Sequence, residues 1–263
     1  MDICERENKI LSLLQSGKPC SVNHLSEILG VSQVTIRKDL TRMEKSGLLL
    51  RSYGKAFLPD PIMTAASSSC FIPPEVLDDY GKKQLIGSLA AEYVDTDDFI
   101  YLGPGYTCLE VAKNLKDKAR LNIVTTNISA AIELADAPEK SLIVAPGNFT
   151  RRNGTYYVTG THVPKFFEDI YFNKIFFTVD GISLDLGFSV LDDITRQTIQ
   201  AVIKPGSQVF ICATGSKFGK NAFSFLGGGI SLADYVITDG PLSQEFMDRF
   251  TANNIRVIYP ATD

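Results

Sequence analysis

Two short helical patterns separated by a single glycine lie between residues 21 and 47, and they restrict what this chain can build. Val22 and Leu25 recur at the spacing of one helix face. Ser21 precedes this pattern as a helix N-cap, and Gly30 follows as a residue that can end a helix in the left-handed conformation. The stretch therefore predicts a short helix that ends in a tight turn.

A second helix is predicted directly after that turn. Ser32 is its cap, and Ile36, Leu40 and Met43 form its apolar stripe, with Gly47 as its end. Two short helices joined by a glycine-containing turn form the unit that many DNA-binding modules use.

The outer face of the second helix is polar and basic, and a wing is predicted behind it. Residues 7–15 supply a further helix for a three-helix core, and the runs 48–52 and 55–58 predict a β-hairpin. Short polar side chains at a helix start can reach base edges, while Arg and Lys pair with phosphates or guanine. The alternative is a small helical domain with solvated charges. The predicted DNA-binding residues are Ser21, Ser32, Gln33, Thr35, Arg37, Lys38, Thr41, Arg42, Arg51, Tyr53 and Lys55.

The charge is divided unevenly along the chain. Residues 1–58 hold nine Lys or Arg against six Asp or Glu, a net charge of +3, whereas the remainder carries −7. An acidic body with a basic head argues against a non-specific nucleic-acid coat. The distribution favours a small DNA reader joined to a second domain.

Cysteine and histidine usage argues against several classes of site. The five cysteines show no CxxC spacing, and the chain has only two histidines, so we predict no disulfide framework, no metal site and no cofactor. Cys108 is interpreted as packing rather than as a nucleophile. No apolar run approaches the length of a membrane span and no signal-peptide core begins the chain, so a cytoplasmic location is expected.

The second half of the chain predicts an α/β domain. Residues 59–79 contain four prolines and a serine run, and they are interpreted as a linker between a DNA-binding domain over 1–58 and a domain over 80–263. Apolar runs then alternate with helical patterns, which predicts a Rossmann-like, mostly parallel sheet covered on both faces. The predicted strands are 99–102, 122–126, 142–145, 174–179, 208–213, 235–238 and 256–259.

The loops that follow these strands are polar and rich in glycine. Ligands of open α/β sheets bind beyond the carboxyl ends of the strands, and a helix start favours an anion. Lys217 can add a positive charge, and Asp180 can accept from a hydroxyl group. We predict a site for a phosphorylated sugar or polyol, formed by Gly103, Pro104, Gly105, Tyr106, Thr107, Thr126, Asn127, Gly147, Asp180, Gly181, Ser216 and Lys217.

The N-terminal motifs resemble one known family. The residues over 3–58 are similar to the winged helix-turn-helix of the DeoR family of bacterial transcriptional regulators. The motifs that carry this resemblance are Glu5-Arg6, Ile10-Leu11, Val31-Ser32, Thr35-Ile36-Arg37-Lys38-Asp39-Leu40, Glu44, Gly47, Arg51 and Tyr53-Gly54.

Residues 80–260 also resemble the C-terminal domain of that family, which implies a fold similar to ribose-5-phosphate isomerase and the binding of sugar phosphates. The matching pieces are Lys83, Thr126-Asn127, Asp180-Gly181-Ile182, Ser216-Lys217-Phe218-Gly219 and Ile237-Thr238-Asp239. The chain departs from the family pattern where Gly103 and Thr214 replace carboxylates that would hold sugar hydroxyls.

The sequence therefore predicts a DNA-binding transcriptional regulator and not an enzyme. It is expected to repress a carbohydrate-utilisation operon, to bind double-stranded operator DNA as a homodimer or homotetramer, and to respond to a phosphorylated sugar or polyol. Two alternatives stay open. The second domain could serve only oligomerisation, or it could be a sugar-phosphate isomerase that uses Asp180 and Lys217.

Overall fold

The computed structural model describes residues 3–14, 20–45, 49–52, 55–57, 80–152 and 154–260. The chain divides into two compact units, Met1–Asp78 and Asp79–Asp263. The predicted linker over 59–79 lies outside the described residues, as do Gly47 and the Tyr53-Gly54 turn.

The first unit contains the predicted three helices and the hairpin. One additional strand, β1, precedes the second helix and pairs antiparallel with β3, which pairs in turn with β2. The elements are α1 (Ile3–Leu14), β1 (Cys20–Ser21), α2 (Val22–Leu29), α3 (Gln33–Lys45), β2 (Leu50–Ser52) and β3 (Lys55–Phe57).

The turn between α2 and α3 follows the local sequence code. The Ser21 hydroxyl accepts a hydrogen bond from the His24 amide at 3.1 Å, and Gly30 ends α2 with φ of +64°. A residue with a Cβ atom adopts that left-handed conformation at a cost, so glycine is the natural choice here.

A buried ion pair crosses the first unit. Asp39 lies on the same helix as the fully buried Ile36 and Leu40, and its carboxylate accepts from the Arg6 guanidinium of α1. Arg42 donates to the same carboxylate at 2.8 Å and to Glu7 at 2.8 Å. Burial on its own would raise the pKa of Asp39, but the two guanidiniums lower it below its usual value.

The second unit alternates helices and strands as predicted. Its helices are α4 (Tyr80–Glu92), α5 (Tyr106–Asn114), α6 (Ile128–Leu134), α7 (Val163–Phe166), α8 (Asp193–Val202) and α9 (Gln244–Ala252). Its strands are β4 (Phe99–Leu102), β5 (Leu121–Thr125), β6 (Lys140–Val144), β7 (Asn148–Arg152), β8 (Thr155–Thr159), β9 (Lys174–Phe177), β10 (Gly181–Ser183), β11 (Gly187–Val190), β12 (Gln208–Cys212), β13 (Ser224–Phe225), β14 (Tyr235–Ile237) and β15 (Arg256–Ile258).

Seven of these strands form one parallel sheet in the order β15-β14-β12-β9-β4-β5-β6. They are the seven strands predicted from the apolar runs, so the predicted α/β fold class is confirmed. The strand order runs one way from β4 to β6 and the other way from β9 to β15. The sheet therefore reverses its winding between β4 and β9.

Successive side chains of each central strand enter different cores. Tyr101 and Phe177 belong to one buried cluster, and Leu102 and Phe176 to the other. Because neighbouring residues of a strand point to opposite faces, these clusters lie on the two sides of the sheet. A parallel sheet with both faces covered explains why its strands read as continuous apolar runs.

Three features of the second unit were not predicted. They are the β7–β8 hairpin, the antiparallel sheet β10-β11-β13, and the pair of helices α7 and α8. None of the described helices has both the length and the apolar character that a bilayer crossing requires.

The ion pair at Asp39 yields a stability prediction. Asp39→Asn removes the buried carboxylate charge that Arg6 and Arg42 share, and we expect a loss of about 3 kcal/mol in the free energy of unfolding of the first unit. Hydrogen exchange of the α2 and α3 amides measures this loss. Asp97→Asn is the matched control, since its ion pair with Arg120 is largely exposed and contributes little. Equal protection in the two variants would contradict the assignment.

The same carboxylate makes the first unit sensitive to acid. Because the pKa of Asp39 in the folded state lies below its ordinary value of 3.8, its contribution to stability is complete above that value. The contribution is then lost as the pH falls through the lower, folded-state pKa.

Candidate functional site

The predicted DNA-binding residues divide into an outward group and an intramolecular group. Gln33, Arg37 and Lys38 have exposed side chains, and within the described part of the chain neither Arg37 nor Lys38 has an ion-pair partner. Lys55 of the wing strand β3 is also exposed. These four residues present donors and positive charge toward solvent.

Other predicted contacts are used inside the domain. Arg42 is paired with Glu7 and Asp39, and Arg51 donates to the Thr41 hydroxyl at 2.7 Å and lies 3.6 Å from the Glu44 carboxylate. The two guanidiniums were predicted to anchor phosphates, yet in the structure they brace α3 against α1 and β2.

The two serines serve as helix caps. The Ser21 hydroxyl accepts from the His24 amide, and the Ser32 hydroxyl accepts from the Thr35 amide at 3.2 Å. The hydroxyls of Ser32 and Thr35 are 2.9 Å apart, so Thr35 is tied to the same cap. Tyr53 lies outside the described residues.

In the second unit, the winding reversal places the β4 loop against the end of β9. The Gly103 amide donates to the Phe176 carbonyl at 2.8 Å. A Cβ atom at position 103 would lie 2.8 Å from the Phe177 Cβ atom, and one at Gly105 would lie 2.8 Å from Thr178 Cγ2. Glycine is therefore required for the loop to approach this strand end so closely.

Asn127 holds that loop from the other side. Its Nδ2 group donates to the carbonyls of Gly103 at 3.3 Å and Gly105 at 2.9 Å, and its Oδ1 atom accepts from the Ala130 amide at 3.0 Å. The side chain is fully buried. Asn127 was predicted as an effector contact, but its amide group is used to position the loop and to cap α6.

Tyr106 and Thr107 point into the protein. The Tyr106 ring belongs to the core that contains Leu102 and Phe176, and it packs 5.4 Å from the Tyr80 ring, centroid to centroid. Thr107 is 4% exposed. The structure thus places the Tyr106 ring on the opposite face of the sheet from Tyr101, because α5 begins at this residue and turns the ring inward.

A small cleft opens beside the β4 loop on the Tyr101 face. Two predicted residues, Pro104 and Thr126, line it, and the other lining residues come from β4, the β8 strand and the first turns of α8. The complete lining is Tyr101, Pro104, Thr126, Tyr157, Val158, Thr159, Ile194, Thr195 and Thr198. Six of these nine side chains carry a hydroxyl group, and the enclosed space between them is narrow, with room for about one water molecule.

The hydroxyls of the cleft are held in place by local bonds. Tyr101 Oη lies 3.1 Å from Thr126 Oγ1, and burial raises the pKa of Tyr101, so this phenol stays neutral. The Thr195 hydroxyl donates to Asp192 Oδ2 at 2.8 Å, and the Thr198 hydroxyl donates to the Ile194 carbonyl at 2.8 Å.

Cationic groups lie near this edge of the sheet. The Nη1 atom of Arg152, on β7, is 3.5 Å from the Asp192 carboxylate that caps α8. The start of α5 receives no side-chain cap, and the positive end of its dipole lies at the β4 loop.

The remaining predicted residues form contacts of their own. Asp180 accepts from the Leu191 amide at 3.1 Å, and Gly181 packs against the Lys220 carbonyl. The Ser216 hydroxyl is 2.8 Å from the Thr214 hydroxyl. Lys217 follows at the end of β12, and among the described residues its ammonium group has no ion-pair partner. Gly147 packs against β8, where an added Cβ atom would lie 2.5 Å from Val158 Cγ1 and 2.7 Å from the Thr159 carbonyl oxygen.

The described residues offer little support for catalysis. Burial raises the pKa of the Cys108 thiol to about 12, so it is protonated and unreactive at neutral pH. Within the described ranges, no group of three His, Cys, Asp or Glu side chains is placed to hold a metal ion.

Comparison with known families accounts for both units. The DeoR-like helix-turn-helix domain matches residues 6–61, and the DeoR C terminal sensor domain matches residues 78–240. The chain belongs to the DeoR family. Members of this family are DNA-binding transcriptional regulators, so the predicted function class is confirmed.

Individual relatives of this DeoR-family protein are matched along nearly their whole length. The glycerol-3-phosphate regulon repressor of Escherichia coli K12 is 29% identical over 255 residues, which cover 96% of this chain and 97% of the repressor. The HTH-type transcriptional regulator YulB of Bacillus subtilis is 29% identical over 259 residues, with 98% and 96% covered. Among solved structures, ribose 5-phosphate isomerase A of Methanocaldococcus jannaschii covers 54% of this chain at 13% identity, and the chain covers 55% of that isomerase, with a TM-score of 0.38.

The role of Asn127 can be tested by its removal. Asn127→Ala leaves two carbonyls of the β4 loop and one α6 amide without their partner, and we expect unfolding free energy to fall by about 1 to 3 kcal/mol. Urea denaturation of the full chain measures the change. Asn221→Ala removes an exposed amide of the same size and should have little effect. Similar losses in both variants would contradict the positioning role.

Proposed function

We propose that this DeoR-family regulator represses a carbohydrate- or polyol-utilisation operon and releases its operator when a phosphorylated sugar or polyol binds. The observation that carries the proposal is the match of residues 78–240 to the DeoR C terminal sensor domain, and the hydroxyl-lined cleft at the winding reversal of the sheet supports it. Hydroxyl groups of the cleft exchange hydrogen bonds with ligand hydroxyls, while Lys217, Arg152 and the start of α5 supply positive potential for a phosphate. Acting on chromosomal DNA, the protein works in the cytoplasm.

The carboxylates that the family usually has at positions 103 and 214 are not required by this arrangement. Cleft hydroxyls from Thr126, Tyr157 and Thr159 take over the recognition of ligand hydroxyls. The names of the relatives support the same ligand class, since one of them is a repressor of a glycerol-3-phosphate regulon.

DNA binding is assigned to the outward face of α3 and to the wing. Arg37 and Lys38 contact bases or phosphates in the major groove, and Lys55 contacts the backbone. One winged helix reads few base pairs, so the regulator acts as a homodimer or homotetramer.

The proposal is tested by DNA binding with and without ligand. The full chain is titrated by fluorescence anisotropy against DNA enriched from a random-sequence duplex library, in the presence of triose, pentose, hexose and hexitol phosphates. One phosphate should shift the dissociation constant by about 5- to 150-fold, and the matching unphosphorylated compound should not. If no phosphate changes DNA binding, the sugar-phosphate sensor role is wrong, and the second unit serves oligomerisation or senses another class of ligand.

The DNA-binding face is tested by substituting Arg37, with Lys9 as the control. Arg37→Ala should weaken operator binding by about 1 to 3 kcal/mol, because its guanidinium is exposed and has no ion-pair partner among the described residues. Lys9→Ala removes an exposed positive charge from α1 and should change the affinity little. An Arg37→Ala protein with unchanged affinity would exclude Arg37 from the contact surface.

The effector site is tested by substituting Lys217, with Lys220 as the control. Lys217→Ala should keep the operator affinity of the unliganded protein and lose the response to the phosphate, because an electrostatic contact to the ligand is removed. Lys220→Ala, three residues further along, should respond normally. The two anisotropy curves are compared over a range of phosphate concentrations, and a normal response of Lys217→Ala would place the phosphate elsewhere.

A further inference from the structure

The outward face of α3 carries an exposed apolar side chain in its first turn, that of Val34. Val34, Arg37, Lys38 and Thr41 follow the i, i+3, i+4, i+7 spacing and form one stripe of the helix. The opposite side of α3 carries the fully buried Ile36, Leu40 and Met43. This stripe is therefore the part of α3 that projects farthest from the core, and Val34 is its first residue.

Val34 does not contribute to the core of the first unit. Its side chain is 59% exposed, and among the described residues it belongs neither to the buried cluster nor to the partly buried residues packed on it. Single exposed apolar residues are common on protein surfaces. Val34 differs by its position, since it lies in the first turn of the helix, on the same stripe as Arg37 and Lys38, which form no ion pair with any described residue.

The major groove offers one apolar group to such a side chain. The C5-methyl group of thymine is the apolar feature by which base pairs differ there, and residues at the start of a recognition helix contact base edges. Valine is also stiff in a helix, because its branched Cβ atom leaves one strongly preferred rotamer. Little side-chain entropy is lost when such a group is fixed against a base.

We propose that Val34 determines operator specificity by packing against a thymine methyl group in the major groove. The proposal rests on the assignment of α3 as the DNA-contacting helix. Val34 is not among the predicted DNA-binding residues. The proposal adds it to them as the residue that makes an apolar contact with a base. Gln33 and Thr35 flank this stripe, and Thr35 is held by the Ser32 cap.

Deoxyuridine provides the test, because it differs from thymidine only by the missing methyl group. The full chain is used to enrich duplexes from a random-sequence library. Each thymine of the enriched duplex is then replaced singly by deoxyuridine. Dissociation constants are measured for the unmodified chain, for Val34→Ala and for Ile28→Ala. Ile28 is a matched control, since it is an apolar residue of α2 with 50% exposure.

We expect at least one thymine whose replacement weakens binding by the unmodified chain about fourfold, the effect of burying one methyl-sized group. Val34→Ala should bind the thymine and deoxyuridine duplexes equally at that position, while Ile28→Ala should keep the fourfold difference. The proposal is overturned if no replacement matters, or if Val34→Ala still distinguishes the two bases. If no duplex is enriched at all, the DNA-binding assignment of α3 fails together with the proposal.

Discussion

The reversal of winding between β4 and β9 determines where the second unit has its cleft. All seven strands are parallel, so their carboxyl ends lie at one edge, and the connections on the two sides of the reversal lead away from each other. A crevice is left at that point unless loops close it. The two glycines at 103 and 105 let the β4 loop lie directly against the end of β9, and the buried amide of Asn127 holds it there. The cleft is the space that remains beside this fixed loop.

In the first unit, some basic side chains stabilise the fold and others are exposed for DNA binding. Arg6 and Arg42 converge on the buried Asp39 carboxylate, where they hold α1 against α3. Arg37 and Lys38, from the same helix as Asp39, face solvent. A chain with a net charge of −4 can in this way present a cationic surface, because its acidic residues are concentrated in the other unit.

Helix caps and buried strands could be predicted from the sequence, whereas contacts between residues far apart in the chain could not. Ser21 and Gly30 act within one helix, so their capping roles were predictable, and buried parallel strands such as β9 declare themselves as unbroken apolar runs. The β7 strand was missed because its sequence NFTRR is polar and mostly exposed. Helix α8 carries a signal that could have been used, since Asp192 caps the amide of Thr195 three residues later.

The cleft itself joins residues as distant as Tyr101 and Thr198, and no spacing rule brings them together. Tyr106 was misplaced for the same reason, since the direction of its ring depends on how α5 packs.

The central claim is that the cleft and the DNA-binding face are coupled, and coupling must be reciprocal. Isothermal titration calorimetry of the active phosphate, first with the free protein and then with the protein saturated by operator DNA, measures this directly. If the phosphate weakens DNA binding by a factor of about 5 to 150, then bound DNA must weaken phosphate binding by the same factor. Equal phosphate affinities in the two titrations would show that phosphate binding and DNA binding are not coupled, and would contradict the account.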